Sequence, residues 1–141
     1  MIQYSKKILK LHKIKPYTEL EENLANSDKI SIKTFFALCA LENINILLIS
    51  GRKYYELLCN DKNINLIHTN NKENWIELDN TRADFYRENY YKMLSFDTTL
   101  KSIGSYKTDE LKELCQKLDI HLIDNKKYLK KDLYELLVQN F

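Results

Sequence analysis

Residues 44–78 read INILLISGRKYYELLCNDKNINLIHTNNKENWIEL, a segment in which apolar runs alternate with short polar segments. The polar segments contain glycine, asparagine and aspartate, residues that favour turns. Apolar runs rich in Ile, Leu and Tyr between such turns predict β-strands at 44–49, 54–59, 64–68 and 75–78. Because the connections are short, we predict an antiparallel meander of about four strands. The first run shows little alternation, so its strand is expected at the centre of the sheet, buried on both faces.

Two helices are predicted before the first long apolar segment. Apolar residues recur at helical spacing within 5–15, and Pro16 is expected to end that helix. The sequence TELE at 18–21 has the form of a capping box, with Thr18 at the cap position. It predicts a short helix over 18–25.

Two further helices flank the predicted strands. One is indicated by apolar residues at three- and four-residue spacing from 32 to about 43, and the other is rich in aromatic residues and runs to about 94. Each has two candidate caps, Ser31 or Asp28 for the first helix and Asn80 or Thr81 for the second. The predicted class is therefore α+β, with N-terminal helices followed by a small antiparallel meander.

The composition limits the classes of protein to which the chain can belong. Its 141 residues, 44% of them hydrophobic, fit one compact domain or one domain plus a small appendage, and exclude a wholly disordered chain. No run approaches about 18 apolar residues, and lysines interrupt the N-terminal region. We therefore expect no membrane span and no secretory leader, as in an intracellular protein. The 3 cysteines lie in apolar runs, so we expect reduced thiols, no metal and no cofactor.

The balance of residue types also sets an alternative for every lysine discussed below. Lys, Asn, Ile, Tyr and Phe are abundant, whereas the chain has 2 Gly and 1 Pro, a bias that A/T-rich codons produce. Such composition resembles that of proteins from large DNA viruses of protists, parasitic protozoa or mollicute-like bacteria. The net charge is only +2, so any affinity for nucleic acid must come from local basic clusters. Two such clusters lie at the two ends of the chain.

Residues 105–141 show a separate helical pattern. Thr108 is expected to cap a helix with an acidic first turn, whose apolar stripe consists of Leu111, Leu114, Cys115 and Leu118. The stripe of a second helix consists of Leu129, Leu133, Leu136 and Leu137. The apolar segment 119–125 between the two helices predicts an extended connector. With 95–105 as a linker, the chain is predicted to contain an α+β domain over 1–100 and a helix–extended-loop–helix module over 105–141.

This module resembles the SAP family and, more broadly, helix–extended-loop–helix modules such as LEM domains and the N-terminal domains of transcription terminators. The resemblance covers about 106–138 and rests on LKELC at 111–115, on the connector's apolar Ile120, and on LKKDL at 129–133. It implies binding to duplex DNA, sometimes to RNA, near the start of the second helix, whereas LEM-like members bind proteins. The candidate contact residues are Lys112, Lys126, Lys127, Tyr128, Lys130 and Lys131, with Tyr128 standing where SAP modules usually have glycine.

The placement of the C-terminal lysines is also unusual in terms of stability. Lys126, Lys127, Lys130 and Lys131 crowd the predicted start of the second helix, where the helix dipole disfavours each exposed cation by about 0.3–1 kcal/mol. A phosphate ligand reverses the sign of this effect, because free backbone donors and lysines then converge on one anion. The alternative is that codon bias has placed these lysines on a solvated surface.

The N-terminal basic cluster consists of Lys6, Lys7, Lys10 and Lys13. It could form a second strip facing phosphates, or the polar side of a helix that packs on the core. We favour the packed helix, because Ile8, Leu11 and Ile14 provide an apolar face. Binding to a membrane surface is a weaker third interpretation, since the segment has few aromatic residues.

Tyrosine-rich stretches lie close to the three arginines of the chain. They could stack on unpaired bases, although packing in the core is the commoner use of such side chains. Tyr54 and Tyr55 point to opposite faces of a strand, so we expect one to be buried and the other exposed.

Catalysis has little support in the sequence. A thiol–imidazole pair of Cys39 and His68 lacks an orienting residue at a telling spacing, and Cys39 lies in the middle of a predicted helix. The acids around the predicted strands do not form the pattern of a metal-dependent nuclease, and the three histidines are too scattered for a metal site. Two glycines cannot form a glycine-rich phosphate loop. We therefore expect a protein that is not an enzyme.

Together these patterns predict a protein that binds nucleic acid, duplex DNA in preference to RNA, through phosphate contacts of its C-terminal module. Other subunits of a nucleoprotein or virion assembly are expected as further partners. The alternative is a structural or adaptor subunit whose C-terminal module docks on protein. Phosphate binding weakens steeply with added salt and apolar docking does not, so salt dependence separates the two hypotheses.

Overall fold

A computed structural model describes residues 2–14, 17–70, 72–96 and 100–140. In these ranges the chain forms six α-helices and a five-stranded sheet, which confirms the α+β class. The helices are α1 (Ile2–Leu11), α2 (Tyr17–Asn26), α3 (Ile32–Leu41), α4 (Ala83–Asn89), α5 (Thr108–Lys117) and α6 (Lys130–Gln139). The strands are β1 (Ile46–Ser50), β2 (Lys53–Leu57), β3 (Asn65–Thr69), β4 (Asn74–Glu77) and β5 (Tyr91–Lys92).

The sheet is mixed, and the predicted antiparallel meander is wrong. Its strand order is β4-β3-β1-β2-β5. The pairs β1–β2 and β3–β4 are antiparallel hairpins, whereas β3 runs parallel to β1 and β5 runs parallel to β2. The chain therefore passes from β2 across the start of β1 and adds β3 on the other side. This order puts β1 at the centre, where Ile46, Leu47, Leu48 and Ile49 are all buried, as predicted.

The side chain of Asn45 explains the crossing between β2 and β3. Asn45 is 2% exposed and lies immediately before β1. Its Oδ1 accepts the backbone N–H groups of Cys59 (2.7 Å) and Asn60 (3.1 Å), and its Nδ2 donates to the carbonyl oxygens of Asn60 (3.0 Å) and Lys62 (2.9 Å). Its own carbonyl accepts the N–H of Asn65 (3.0 Å). The loop is thus folded around the start of β1, which delivers β3 to the free edge of that strand.

The two faces of the sheet carry separate cores. On one face, Ile46, Leu48 and Leu57 pack with the N-terminal helices, whose buried residues include Leu9, Ile14, Leu20, Phe36 and Cys39. On the other face, a smaller cluster contains Leu47, Ile49, Tyr54, Leu66, Ala83 and Tyr86. Helix α4 therefore covers the face opposite to α1, α2 and α3.

The N-terminal helices differ from the prediction mainly at their ends. Helix α1 ends at Leu11 because Lys13 adopts a left-handed conformation (φ 59°) and Ile14 N–H bonds to the carbonyl of Leu9 (2.8 Å). Pro16, the predicted end, lies outside the described residues. Thr18 lies inside the first turn of α2, so its predicted role as a cap is wrong.

Helix α3 begins as predicted. Ser31 is its N-cap, and the Ser31 Oγ accepts the N–H of Thr34 at 3.1 Å. The helix closes with the same left-handed device as α1, here at Asn43 (φ 58°), with Ile44 N–H bonded to the carbonyl of Cys39 at 2.9 Å.

The segment after β4 is not one long helix, and the prediction of a helix to about residue 94 is wrong. Asp79 caps a 3₁₀ turn at Asn80–Arg82, so neither Asn80 nor Thr81 is the cap. Helix α4 ends at Asn89, and Tyr91–Lys92 pairs with β2. A two-residue strand is too short to show any periodicity, and its bonds to β2 depend on the tertiary structure.

The C-terminal helices pack on this short strand. Tyr91 and Met93 belong to the same buried cluster as Leu111, Cys115, Leu118, Leu133 and Leu137. Half-buried Arg52 ties the sheet to two helix ends, since its Nε donates to the carbonyl of Lys117 (3.2 Å) and its Nη2 to that of Asn89 (3.4 Å). Within the predicted linker, Phe96 packs on Phe36 and Tyr55 in the N-terminal core, and residues 97–99 lie outside the described ranges. The division into domains over 1–100 and 105–141 stays a prediction.

Candidate nucleic-acid interface

The frame of the candidate interface is the pair α5 and α6 with the connector between them. Buried Leu111 and Cys115 on α5 face buried Leu133 and Leu137 on α6. Thr108 is the first residue of α5 and not its cap, and the Glu110 carboxylate instead accepts the N–H of Lys107 at 2.6 Å. The two helices thus form one apolar core, as the leucine spacing predicts.

The connector is held by its own side chains. Asp119 adopts a left-handed conformation (φ 59°), and Ile120 N–H bonds to the carbonyl of Cys115 at 2.8 Å, which ends α5. Ile120 and Leu122 then pack against the core of the module. The hydroxyl of Tyr128 accepts the N–H of Ile123 at 3.0 Å and ties the end of the connector to its middle. These contacts therefore hold the connector in a defined conformation up to the start of α6.

The first turn of α6 combines lysines with backbone donors. Lys130 and Lys131 are its first two residues, and Leu129 is the residue at the cap position. Leu129 has no side-chain acceptor for the first N–H groups, and its own N–H bonds to Asp132 Oδ2 at 3.0 Å. The Leu129 side chain is 64% exposed, so its predicted place in the apolar stripe is wrong.

The four lysines of this region differ in what they contact. Lys126 lies with its Nζ 5.0 Å from the centroid of the Tyr128 ring, and Lys131 Nζ lies 3.9 Å from Glu135 Oε1 in an exposed pair that contributes little. Lys127 is exposed and Lys130 half-buried, and neither makes an ion pair within the described part of the chain. Along the chain, Lys126 and Lys127 precede α6, and Lys130 and Lys131 begin it. Lys112 is exposed on the other helix, α5.

Three of the N-terminal lysines lie on α1, which packs on the core, and Lys13 lies in the turn that ends this helix. Lys6, Lys7, Lys10 and Lys13 are exposed, whereas Leu9 and Ile14 are buried and Ile8 is partly buried against the same core. Leu11, which we placed on the packing face, is exposed instead. One side of α1 is buried, in agreement with the favoured interpretation of a packed helix. The exposed lysines remain a candidate second strip for contact with phosphates.

The aromatic pairs are used mainly in packing. Tyr54 is buried, and Tyr55 is half-buried with its ring stacked on Phe96 at a centroid distance of 5.5 Å, so the expectation that one of the pair is exposed is wrong. The guanidinium of Arg52 lies 4.4 Å from the centroid of the Tyr90 ring. The guanidinium of Arg82 lies 5.2 Å from the centroid of the Phe85 ring. Arg52 and Arg82 therefore contact aromatic side chains of the fold, and Arg87 donates to the Glu56 carboxylate at 2.6 Å.

Sequence reasoning missed a polar cluster on the face covered by α4. His68 Nε2 lies 2.6 Å from Glu77 Oε2, Tyr86 donates its hydroxyl to the same oxygen (2.7 Å), and Arg82 donates to Glu77 Oε1 (2.9 Å). The ring of Trp75 stacks on His68 at 5.2 Å. The alternation of Trp75 and Glu77 could have indicated that both side chains lie on one face of the sheet. Their partners depend on the position of α4, which the sequence does not show.

Burial and hydrogen bonding act in opposite directions on Glu77. Burial disfavours its charged form, but the bonds from Tyr86 and His68 and the charge of Arg82 outweigh this, so the pKa of Glu77 lies below its ordinary value. Burial and the Glu77 carboxylate together raise the pKa of Tyr86 to about 12. The cluster is thus a satisfied network around a carboxylate.

Within the described ranges, neither a thiol–imidazole pair nor a group of metal-ligating side chains is assembled. Cys39 packs in the core beneath α1–α3, on the face of the sheet opposite to His68, so the two do not form a pair. Burial, followed by the neighbouring Cys59, raises the pKa of Cys39. Among the described residues, no three His, Cys, Asp or Glu side chains are grouped so that they could hold a metal ion.

Two further findings bear on function. Within the parts of the chain that the structure describes, no helix has the length and apolar character needed to cross a lipid bilayer. Comparison of the chain with models of protein families, with curated proteins and with solved structures found no match.

Proposed function

We propose that the C-terminal module binds duplex DNA by holding backbone phosphates at the start of α6. The observation that carries this proposal is the pair Lys130 and Lys131 in the first turn of a helix whose cap residue, Leu129, supplies no acceptor. Lys126 and Lys127 precede the turn and are exposed. Backbone donors and four lysines can then converge on one or more phosphates.

A comparison of the two helices of the module supports this proposal. Helix α5 carries Asp109 and Glu110 in its first turn, the arrangement that the helix dipole favours. Helix α6 has two lysines there, offset only by Asp132. The same chain therefore uses the stabilising arrangement on one helix and departs from it on the other, as expected where an anion is bound.

The test is a titration of a 20-base-pair DNA duplex with the intact chain at several salt concentrations, repeated with Lys130→Gln/Lys131→Gln. Each phosphate contact contributes about −0.9 to the slope of log affinity against log salt. The double variant should therefore bind every duplex sequence more weakly, with a slope shallower by up to about 2. The fold should stay intact, because two cations leave a helix N-terminus.

A matched variant separates this site from a general loss of charge. Lys29 and Lys62 are exposed and lie in the loops between α2 and α3 and between β2 and β3, so Lys29→Gln/Lys62→Gln removes the same charge outside α6. That variant should keep the slope of the parent chain. Equal slopes for the two double variants would overturn the assignment to α6.

A protein-docking role is the second candidate, and exposed apolar side chains on the module favour it. Ile123, Leu129 and Val138 are all exposed, and Leu129 directly precedes Lys130. In this alternative the chain is an adaptor subunit of a nucleoprotein or virion assembly, and its C-terminal module docks on protein. Its binding would change little between low and high salt.

A further inference from the structure

Helix α1 differs from α2, α4, α5 and α6 in the charges that it carries. Residues 1–18 contain five lysines and no acid, whereas acids outnumber basic residues in the rest of the chain. Helices α2, α4, α5 and α6 all include acids. Helix α3 also lacks them, but most of its residues are buried. Codon bias raises the number of lysines throughout the chain, and it does not explain why an exposed helix has no acids.

Three of these lysines line one groove on the outer side of α1. The groove has a volume of about 520 Å³, and its lining consists of Lys7, Ile8, Lys10, Leu11 and Lys13. At about 100° per residue, Lys10 and Lys7 lie about 100° and about 160° around the helix from buried Leu9. Both side chains therefore leave the helix away from the core, and Lys13 follows in the turn that ends α1. We call Lys7, Lys10 and Lys13 the α1 strip.

The stability of the fold does not account for the α1 strip. Within the described part of the chain, the ion pairs involve other residues. Lys6 and Lys10 are four residues apart, a spacing at which like charges destabilise a helix. The helix dipole favours Lys10, which lies in the last turn of α1, but Lys7 lies before that turn. The lysines therefore collect positive charge that the helix itself does not need.

Phosphates fit this surface better than a protein or a lipid bilayer does. Lysine is depleted in protein–protein interfaces, whereas it is a common contact to the phosphates of nucleic acids. A helix that inserts into a bilayer needs a free apolar side. The apolar side of α1 is already used in the core, where Leu9 is buried and Ile8 is partly buried. Leu11 alone is too little apolar surface for insertion, although it is 76% exposed.

We propose that the α1 strip is a second nucleic-acid-binding surface, which holds backbone phosphates independently of the start of α6. Lys7 and Lys10 are about 4.5 Å apart along the helix axis, so their long side chains can reach neighbouring phosphates of one strand. Leu11 and the lysine stems in the groove would then lie against the sugars. The ligand class is that of the α6 site, but no residue is shared, so either surface can exist without the other.

The test starts from the full chain with Lys130→Gln/Lys131→Gln, whose remaining affinity for a 20-base-pair DNA duplex does not depend on those two lysines. Adding Lys7→Gln/Lys10→Gln should weaken the remaining binding. The slope of log affinity against log salt should become shallower by about 1 to 2, because each lost phosphate contact contributes about 0.9. Both added changes are at exposed positions, so the circular dichroism spectrum should stay that of a folded chain.

Two matched variants in the same background separate the α1 strip from a general loss of charge. Adding Lys29→Gln/Lys62→Gln removes two exposed lysines from loops and should leave the slope unchanged. Adding Lys7→Arg/Lys10→Arg keeps both charges on α1 and should also leave the slope unchanged.

Equal slopes after Lys7→Gln/Lys10→Gln and after Lys29→Gln/Lys62→Gln would overturn the proposal. So would a Lys130→Gln/Lys131→Gln chain that no longer binds duplex at about 50 mM salt.

Other results would assign the two surfaces differently. An unchanged slope in Lys130→Gln/Lys131→Gln, with a shallower slope once Lys7→Gln/Lys10→Gln is added, would remove the α6 site and keep the α1 strip. A parent chain that binds no duplex at about 50 mM salt would remove both. Vesicles with about 30% phosphatidylserine could bind the parent chain but not Lys7→Gln/Lys10→Gln, while duplex binding is equal in the two. That result would assign the strip to a membrane surface and overturn the proposal.

Discussion

At the scale of single residues, a few polar side chains determine features that the apolar pattern does not contain. The chain has 2 glycines, and Lys13, Asn43 and Asp119 take the left-handed positions that end α1, α3 and α5. Asn45 organises the loop between β2 and β3 through at least four side-chain hydrogen bonds. These roles depend on contacts between distant residues, so the sequence alone does not reveal them.

Replacing Asn45 should be among the most damaging single polar substitutions. Asn45→Ala leaves the partly buried N–H groups of Cys59 and Asn60 without their acceptor, and the loss of an acceptor costs about 1–3 kcal/mol for a buried donor. We expect the free energy of unfolding, measured with urea, to fall by about 2 kcal/mol or more. Asn63→Ala, at an exposed position of the same loop, should change it by less than about 0.5 kcal/mol. Equal effects would mean that Asn45 does not hold the crossing.

Glu77 should contribute a pH-dependent part of the stability. Its pKa is lower in the folded than in the unfolded chain, so its contribution is present above the ordinary glutamate pKa and is lost as pH falls through the folded value. Glu77→Gln should destabilise the protein at pH 7 by about 1.5–3 kcal/mol, the range for hydrogen bonds to charged groups. The difference from the parent chain should shrink below about pH 4.3. A difference that stays constant down to pH 3 would contradict the role given to the carboxylate.

At the scale of elements, the sequence predicts helices well and strand partners poorly. The leucines of α5 and α6 repeat at helical spacing, and the structure buries Leu111, Leu133 and Leu137. Strand positions are predicted within a few residues, but the pattern of β3 is the same whether it pairs with β1 or β2. The loop held by Asn45 makes that choice. β5 could not be predicted either, because its two residues show no periodicity and their pairing with β2 depends on the tertiary structure.

The pairing of α5 and α6 predicts unequal costs for two leucines of α6. Leu133 is completely buried, so Leu133→Ala should lower the free energy of unfolding by about 2–5 kcal/mol. Leu129→Ala, at the exposed cap position, should cost less than about 0.5 kcal/mol. Similar costs at the two positions would show that the helix faces are misassigned.

At the scale of the whole molecule, the C-terminal helices share their core with the sheet. Tyr91 and Met93 supply part of that core, and Tyr134 donates its hydroxyl to the carbonyl of Lys101 at 2.8 Å. Burial, followed by the nearby Tyr106, raises the pKa of Tyr91. The resemblance to freestanding modules gives no information on this contact, since it concerns only 106–138. We therefore expect residues 105–141 expressed alone to melt broadly, as a segment of this size lies near the lower limit for independent folding.

Arg52 should couple the sheet to the C-terminal helices. Arg52→Ala removes donors to the last carbonyls of α4 and α5, so amide hydrogen exchange in α5 should accelerate. Lys117→Ala keeps its backbone carbonyl and serves as the matched control, which should leave the exchange unchanged. Unchanged protection of α5 in Arg52→Ala would contradict the coupling.

The salt dependence of duplex-DNA binding by the parent chain, measured between about 50 and 200 mM salt, tests directly whether the start of α6 holds phosphates. If the lysines around the start of α6 contact about two to four phosphates, log affinity plotted against log salt should have a slope of about −2 to −4. A slope near zero, or no binding at about 50 mM salt, would contradict phosphate binding and favour docking on protein.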